Sequence, residues 1–310
     1  MEHTKIMNKI TGLIAAPYSP MLPNGELNLD LIPKYASYLA KNNVSGAFLN
    51  GTTGDFTSLL SEERMQVVDM WAQHKPDNFK LISHVGCTSL KRSIEFAKHS
   101  IGKVDAIGAL PPFYFKPKTV NDLIDYLSEI SNAAPNLPFY YYHIPDLTNV
   151  NFNMIDFLKK IEHRIPNLAG IKFTKLDLVD YALCKAFENG KYNILFGADE
   201  ILLNSLPFRV EGWVGSTYNH LGPLYTAIIK AFKENNFELA TELQLKSMKF
   251  IHILVSYGFS GAGKSFMKKI GLDCGPSRLP NKTVNSKDLD RIYKELEAIG
   301  ITKYLGVVPN

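Results

Sequence analysis

Lys172 lies in Leu168-Ala169-Gly170-Ile171-Lys172-Phe173-Thr174, an apolar run in which a charge is out of place. A buried ammonium costs free energy unless it is paired or gives up its proton. An unprotonated lysine amine attacks ketones and forms a Schiff base. The bland alternative is a strand end whose lysine snorkels to water. Other residues can supply the rest of a ketone site. In Gly51-Thr52-Thr53-Gly54-Asp55, backbone N–H groups and two hydroxyls can face an anion, and the glycines permit close approach. A βα turn with a capping threonine explains the same residues. A carboxylate held there, with its neighbouring carbonyl over Lys172, has the pose of a 2-oxo acid. Tyr140 and Tyr142 alternate along one run and point to one face. A phenol near an amine can relay protons, although core packing also accounts for both rings. Asp199 and Glu200 follow Gly197-Ala198. Two adjacent carboxylates cannot both be buried without partners. A polyhydroxylated substrate would supply partners, and so would a helix N-terminus.

A second lysine competes for attention. Gly258-Phe259-Ser260-Gly261-Ala262-Gly263-Lys264-Ser265 matches the nucleotide-binding pattern G-x-x-x-x-G-K-[ST] in full. Such a loop must follow a strand of a parallel sheet and needs a second, carboxylate-tipped strand for magnesium. Phe237–Tyr257 reads better as one long helix, with Leu243, Met248, Ile251 and Val255 spaced for one face. The segment after the motif contains nothing that reads as the second strand. A nucleotide-binding protein is therefore the remote alternative.

The elements that must position these residues alternate in type. Short runs rich in β-branched and aromatic residues predict strands at Ile10–Ala16, Gly46–Asn50, Leu81–Val85, Asp105–Leu110, Phe139–His143, Ala169–Phe173, Ile194–Gly197 and Gly212–Gly215. Helical patterns lie between them, among them Leu29–Asn42, a helix capped by Ser61, Thr119–Ser131 and Phe152–Ile161. The segment between the last two strands is short, so its helix is compressed. Alternation implies a parallel sheet, and eight such units close into an α/β fold of the (β/α)8 TIM-barrel type. Residues 1–224 would form this barrel. Residues 225–310 read as helices packed on it: Leu224–Asn235, Phe237–Tyr257, Lys264–Ile270 and Lys287–Ala298. The groups named above all fall at C-terminal strand ends, the end where such barrels do chemistry.

Composition narrows the partners. The chain has 310 residues, 45% hydrophobic and 21% charged, with a net charge of +4 spread along it. With no basic block, a nucleic-acid or membrane-surface partner is not expected. No apolar run approaches the length of a membrane span. The run Ile10–Ala16 is short for a secretion signal and lacks a cleavage pattern. Cys87, Cys184 and Cys274 are odd in number and widely spaced, which predicts neither disulfides nor a metal site and fits a reducing, cytoplasmic compartment.

The motifs Gly51-Thr52-Thr53-Gly54, Tyr142-His143-Ile144-Pro145, Gly170-Ile171-Lys172-Phe173-Thr174, Gly197-Ala198-Asp199-Glu200 and Gly215-Ser216-Thr217-Tyr218-Asn219, taken together and in this order, resemble the N-acetylneuraminate lyases. These are class I aldolases within the dihydrodipicolinate synthase superfamily. The resemblance runs from the first strand to Pro280. It implies cleavage of N-acetylneuraminate to N-acetylmannosamine and pyruvate through Schiff-base chemistry, with no metal and no other cofactor. It implies that Lys172 forms the Schiff base and that Tyr142 moves protons at the bond being cleaved. Thr52 and Thr53 then match positions that hold the pyruvate carboxylate. Thr174, Gly197, Asp199, Glu200 and Ser216 match positions that hold sugar hydroxyls. Tyr114, in Pro-Pro-Phe-Tyr, resembles a tyrosine that completes a neighbour's site in a homotetramer. Two departures stand out. Asp55 occupies a position usually held by glutamate. Leu147 stands where dihydrodipicolinate synthases carry an arginine for a second carboxylate, which favours a neutral sugar. The alternative within the superfamily is an aldolase or synthase for another 2-oxo acid, such as 2-keto-3-deoxygluconate.

Overall fold

The computed structural model describes residues 9–161 and 164–308. Eight strands, β1 (Gly12–Ala15), β2 (Val44–Leu49), β3 (Lys80–His84), β4 (Ala106–Ala109), β5 (Phe139–His143), β6 (Leu168–Phe173), β7 (Asn193–Phe196) and β8 (Gly212–Gly215), form one closed barrel in chain order. All neighbouring strands are parallel, and β1 closes the ring against β8. The strands are short and buried on both faces, which is why they read as continuous apolar runs. Their inward residues, among them Ile14, Phe48, Ile82, Tyr140, Tyr142, Ala169, Leu195 and Val214, make a core of their own inside the barrel. Tyr140 and Tyr142 share this interior face, as their alternation predicts.

The helices are α1 (Ile32–Lys41), α2 (Ser61–His74), α3 (Leu90–His99), α4 (Val120–Asn132), α5 (Pro145–Thr148), α6 (Met154–Ile161), α7 (Leu178–Ala186), α8 (Leu202–Ser205) and α9 (Tyr218–Lys233), followed by α10 (Phe237–Ser256), α11 (Phe259–Ile270) and α12 (Ser286–Ala298). The buried stripe of α1, Ile32, Tyr35, Ala36 and Leu39, has the spacing that lays a helix on a sheet. Thr119 caps α4 by accepting the Asp122 N–H, while the Asp122 carboxylate accepts the Thr119 N–H. The helix between β7 and β8 is indeed compressed, to a single turn of α-helix between two short 3-10 segments.

Most element ends differ from expectation by one to three residues, and the helix expected at Leu224–Asn235 runs from Tyr218 to Lys233. Three differences have a clear local cause. Ser61 does not cap α2. It is the first helical residue, and the Glu63 carboxylate accepts the Leu60 N–H instead, at 2.8 Å. Asn50 does not extend β2, because its φ of 53° turns the chain out of the strand. The helix expected from Lys264 begins earlier, at Phe259, directly after a left-handed Gly258. The last helices bind closely to the barrel's own loops: the Cys274 carbonyl accepts the Met21 N–H, and Asn42 of the β2 side pairs with both backbone polar groups of Val307. No described helix is long and apolar enough to cross a membrane.

Candidate active site

Lys172 is on β6, beside Tyr142 of β5 in register and Leu195 of β7. Its residue is only 5% exposed, so the snorkelling alternative fails. Its Nζ points across the barrel interior. It lies 3.6 Å from the centroid of the Tyr142 ring and 4.3 Å from that of Phe48, on the opposite strand β2. Ring faces attract positive charge at this nitrogen. Two residues beyond the β2 terminus the chain bends into Gly51–Asp55, and Thr52 Oγ1 comes 3.3 Å from the Tyr142 hydroxyl. The amine, the phenol and one of the anion-loop hydroxyls therefore meet at one point. Thr53 is partly buried and lies at the back of the same loop, which Ser19 Oγ holds by donating to the Gly54 carbonyl at 2.7 Å.

The other half of the site comes from the ends of β6, β7 and β8. Thr174 follows β6, and its Oγ1 is buried with no hydrogen-bond partner among the described residues. That hydroxyl faces Gly197, where a Cβ would come within 2.2 Å of it. Glycine at 197 therefore keeps the hydroxyl accessible. Asp199 is buried, and its Oδ2 accepts two bonds from Thr217, from the N–H at 2.8 Å and from Oγ1 at 2.5 Å. The Tyr225 hydroxyl donates in turn to Thr217 Oγ1 at 2.7 Å. A Cβ at Gly215 would meet the Asp199 carboxylate at 2.6–2.7 Å, so glycine there makes its room. Burial raises the Asp199 carboxyl above the ordinary carboxylate range despite the bonds from Thr217. Burial and the charge of Asp199 push the neighbouring Glu200 up to about 7. Ser216 is partly buried just after β8, and its carbonyl accepts from Asn219. Tyr114 stands apart from the others. It is 78% exposed on the loop between β4 and α4, edge-on to the equally exposed Phe115 at 5.1 Å.

Several residues support the site that the motifs do not single out. Phe48 is the second ring against Lys172. His84 sits at the end of β3 among the rings of Phe48, Phe56 and Tyr142, at 4.8–5.8 Å between centroids. Burial, then the charges of Arg64 and Lys172, hold its imidazole well below its ordinary range, against the pull of the Asn50 carbonyl. It is neutral, and its Nδ1–H donates to that carbonyl at 2.8 Å. Arg64 is buried under the same loop and donates to the carbonyls of His84 and Gly86. These residues act through neighbours distant in sequence, so no local pattern marks them.

Lys264 is not part of a phosphate loop. Its segment is the helix α11, which follows α10 and not a strand. The Gly261 and Ala262 N–H groups are spent on the Gly258 carbonyl. Lys264 Nζ donates to the Pro276 carbonyl at 2.6 Å, and burial pushes its amine down to about 8. The small cavity at its tip, about 10 Å³, is lined by Tyr18, Thr53, Gly54, Asp55 and Lys264 and has room for about one water. A larger cavity of about 570 Å³ is lined by Thr11, Asn43, Ser45 and Glu211, at the N-terminal strand ends. That is the stabilising face of such a barrel, away from the chemistry.

A family model described as the dihydrodipicolinate synthetase family matches residues 9–299. The chain belongs to the dihydrodipicolinate synthetase family. Within the family, similarity is high to proteins named N-acetylneuraminate lyase. The zebrafish (Danio rerio) lyase is 41% identical over 281 residues, covering 88% of this chain and 91% of that protein. The human lyase is 39% identical over 303 residues, covering 96% and 94%. Among solved structures, the Proteus mirabilis N-acetylneuraminate lyase superposes with a TM-score of 0.91 at 34% identity, over 94% of this chain and 99% of that one. The Proteus mirabilis enzyme thus shares this barrel over essentially its full length.

Proposed function

We propose that this protein is an N-acetylneuraminate lyase, a carbon–carbon lyase that splits N-acetylneuraminate into N-acetylmannosamine and pyruvate. The observation that carries the reading is a buried lysine amine against the Tyr142 ring, with the Thr52 hydroxyl at the Tyr142 phenol. Full-length similarity to proteins named N-acetylneuraminate lyase supports the choice of substrate.

In this mechanism Lys172 Nζ attacks the C2 ketone of the open-chain sugar acid, and water leaves to give a protonated imine. Thr52 and Thr53 hold the adjoining carboxylate through their hydroxyls and the loop N–H groups. The ring faces of Tyr142 and Phe48 favour the positive charge on the imine nitrogen. Tyr142 accepts the C4 hydroxyl proton as the C3–C4 bond breaks and passes its own proton through the Thr52 hydroxyl to the carboxylate held there, while the bond's electron pair moves into an enamine. The aldehyde of N-acetylmannosamine departs. The enamine carbon is protonated, and water hydrolyses the imine to release pyruvate and the free amine. The imine is the electron sink, so the scheme calls on no metal or other cofactor.

Thr174, Gly197, Asp199, Glu200 and Ser216 bind the sugar hydroxyls. The unpartnered Thr174 hydroxyl supports this role, since a buried polar atom is costly until a ligand satisfies it. The exposed Tyr114–Phe115 pair suits completion of a neighbouring subunit's site in a homotetramer. A cytoplasmic location fits its free cysteines.

The test is a coupled pyruvate-release assay with N-acetylneuraminate and 2-keto-3-deoxygluconate side by side, with Lys172→Ala as the control. Release from the sialic acid alone, lost in the variant, supports the reading. Preference for the shorter sugar acid would move the protein to a sibling activity.

A further inference from the structure

Gln244 lies on α10, outside the barrel, yet it is 2% exposed and every polar atom of its side chain is engaged. Its Nε2 donates to the Glu200 carbonyl at 2.9 Å and to the Asp199 carbonyl at 3.2 Å, and it approaches Ser247 Oγ at 2.6 Å. Its Oε1 accepts the Leu203 N–H at 2.8 Å. One side chain therefore ties together the whole turn that leaves β7, from Asp199 to the first residues of α8. Ser247 Oγ donates to the backbone carbonyl of Gln244 at 2.8 Å, which leaves its lone pairs to face Nε2.

We propose that Gln244 is a specificity-determining positioning residue, which sets the backbone of the Asp199–Glu200 turn and so the grip on the polyhydroxylated part of the substrate. The proposal rests on the function given above. Asp199 is held at two points of different origin. Thr217, at the end of β8, orients its carboxylate, and Gln244 orients its peptide. Glu200 has only the second kind of support on its backbone, since its carbonyl answers to Gln244. Nothing in the other half of the site depends on this contact. Phe48, Tyr142 and Lys172 belong to β2, β5 and β6, Thr52 to the loop after β2, and none bonds to Gln244. A fault at Gln244 is therefore expected to fall on the sugar and to spare the 2-oxo acid.

The 3-10 geometry of Asp199–Ile201 sharpens the point. Two successive carbonyls of a short turn converge on one amide donor. The Asp199 carbonyl also accepts the Leu202 N–H, so loss of the amide falls chiefly on the Glu200 carbonyl. Gln244→Glu replaces the donor by an acceptor against those carbonyls, while an oxygen remains for the Leu203 N–H. Gln244→Met keeps the length and removes both bonding functions.

The experiment measures two constants for the parental protein and both variants: KM for pyruvate release from N-acetylneuraminate, and the pyruvate concentration that half-saturates borohydride trapping. The expected result is a KM raised about tenfold or more with kcat less affected. The pyruvate constant should stay within about twofold, as for an uncoupled site. Equal movement of both constants, movement of neither, or failure of both variants to give a cooperative melt would overturn the proposal, since each makes Gln244 merely structural or dispensable. A parental protein that ignores N-acetylneuraminate would instead sink the proposed function. The same split would then be measured on whichever 2-oxo sugar acid the parental protein cleaves, and a protein that cleaves none would end both.

Discussion

The Tyr142 ring lies face-on to Lys172, with its centroid 3.6 Å from Nζ, while its hydroxyl points away to Thr52 Oγ1 at 3.3 Å. Ring and hydroxyl thus serve different partners. Tyr142→Phe keeps the face against the nitrogen and removes only the proton relay. Borohydride trapping of pyruvate should survive in this variant, while cleavage of the sugar acid falls by about 10²–10⁴-fold. Trapping and cleavage lost in parallel would show that the phenol is needed for Schiff-base formation itself.

Gly215→Ala probes the space reserved for Asp199. The new methyl would sit 2.6 Å from the carboxylate carbon, closer than atoms can approach, and backbone on β8 cannot retreat without opening the barrel. Asp199 must therefore move away from Thr217. A stability loss of about 1–3 kcal/mol is expected by chemical denaturation, with KM for the sugar acid raised and pyruvate trapping retained. An unchanged KM would mean that Asp199 does not touch the sugar.

Glu200 predicts a pH dependence of definite sign. Its carboxyl is raised to about 7 in the folded protein, by burial first and then by Asp199. Between its unfolded value and about 7 the folded state holds the extra proton, so this stabilising contribution is complete at low pH and is lost as pH rises through about 7. Glu200→Gln should flatten that loss and raise stability near pH 8 by about 1–3 kcal/mol. In the parental protein, KM for the sugar acid should rise as pH falls below about 7, where Glu200 loses the charge that attracts hydroxyl donors. The comparison needs melts and initial rates across pH 5–9, about two units either side of that value. A Glu200→Gln variant with the parental stability profile would contradict the assignment.

His143 predicts the opposite slope at the acid end. It is fully buried between Tyr141 and Phe173, both ring nitrogens lack partners among the described residues, and burial lowers it to about 3. The unfolded chain takes up a proton near the ordinary imidazole value and the folded chain does not. Stability should therefore decline as pH falls below about 6.5, by up to about 1.4 kcal/mol per pH unit for this group. His143→Phe should recover stability at pH 5, measured by urea denaturation, about 1.5 units below that value. His84 and His220, both buried with lowered values, act in the same direction and set the residual slope.

The barrel is legible in the sequence because each strand is buried on both faces and so stands out as an apolar run, with its turn residues on either side. The ends are less legible. Asn50 and Ser61 satisfy strand and cap propensities, but the left-handed turn at Asn50 and the Glu63–Leu60 bond decide those boundaries. The convergence of Lys172, Tyr142 and Thr52 follows from period-two alternation and the barrel's C-terminal face. Phe48, His84 and Gln244 leave no such trace, because each contributes through a contact with residues distant in sequence. Lys264 shows the reverse case. Its motif is complete in sequence, yet helical hydrogen bonding consumes the N–H groups that a phosphate would need.

The most direct test is reduction with borohydride during incubation with N-acetylneuraminate, followed by peptide mapping by mass spectrometry. The reduced pyruvate adduct should appear on Lys172 alone, be absent in Lys172→Arg, and form at the parental rate in Lys264→Met. An unmodified Lys172 with active turnover, or an adduct on another lysine, would contradict the account.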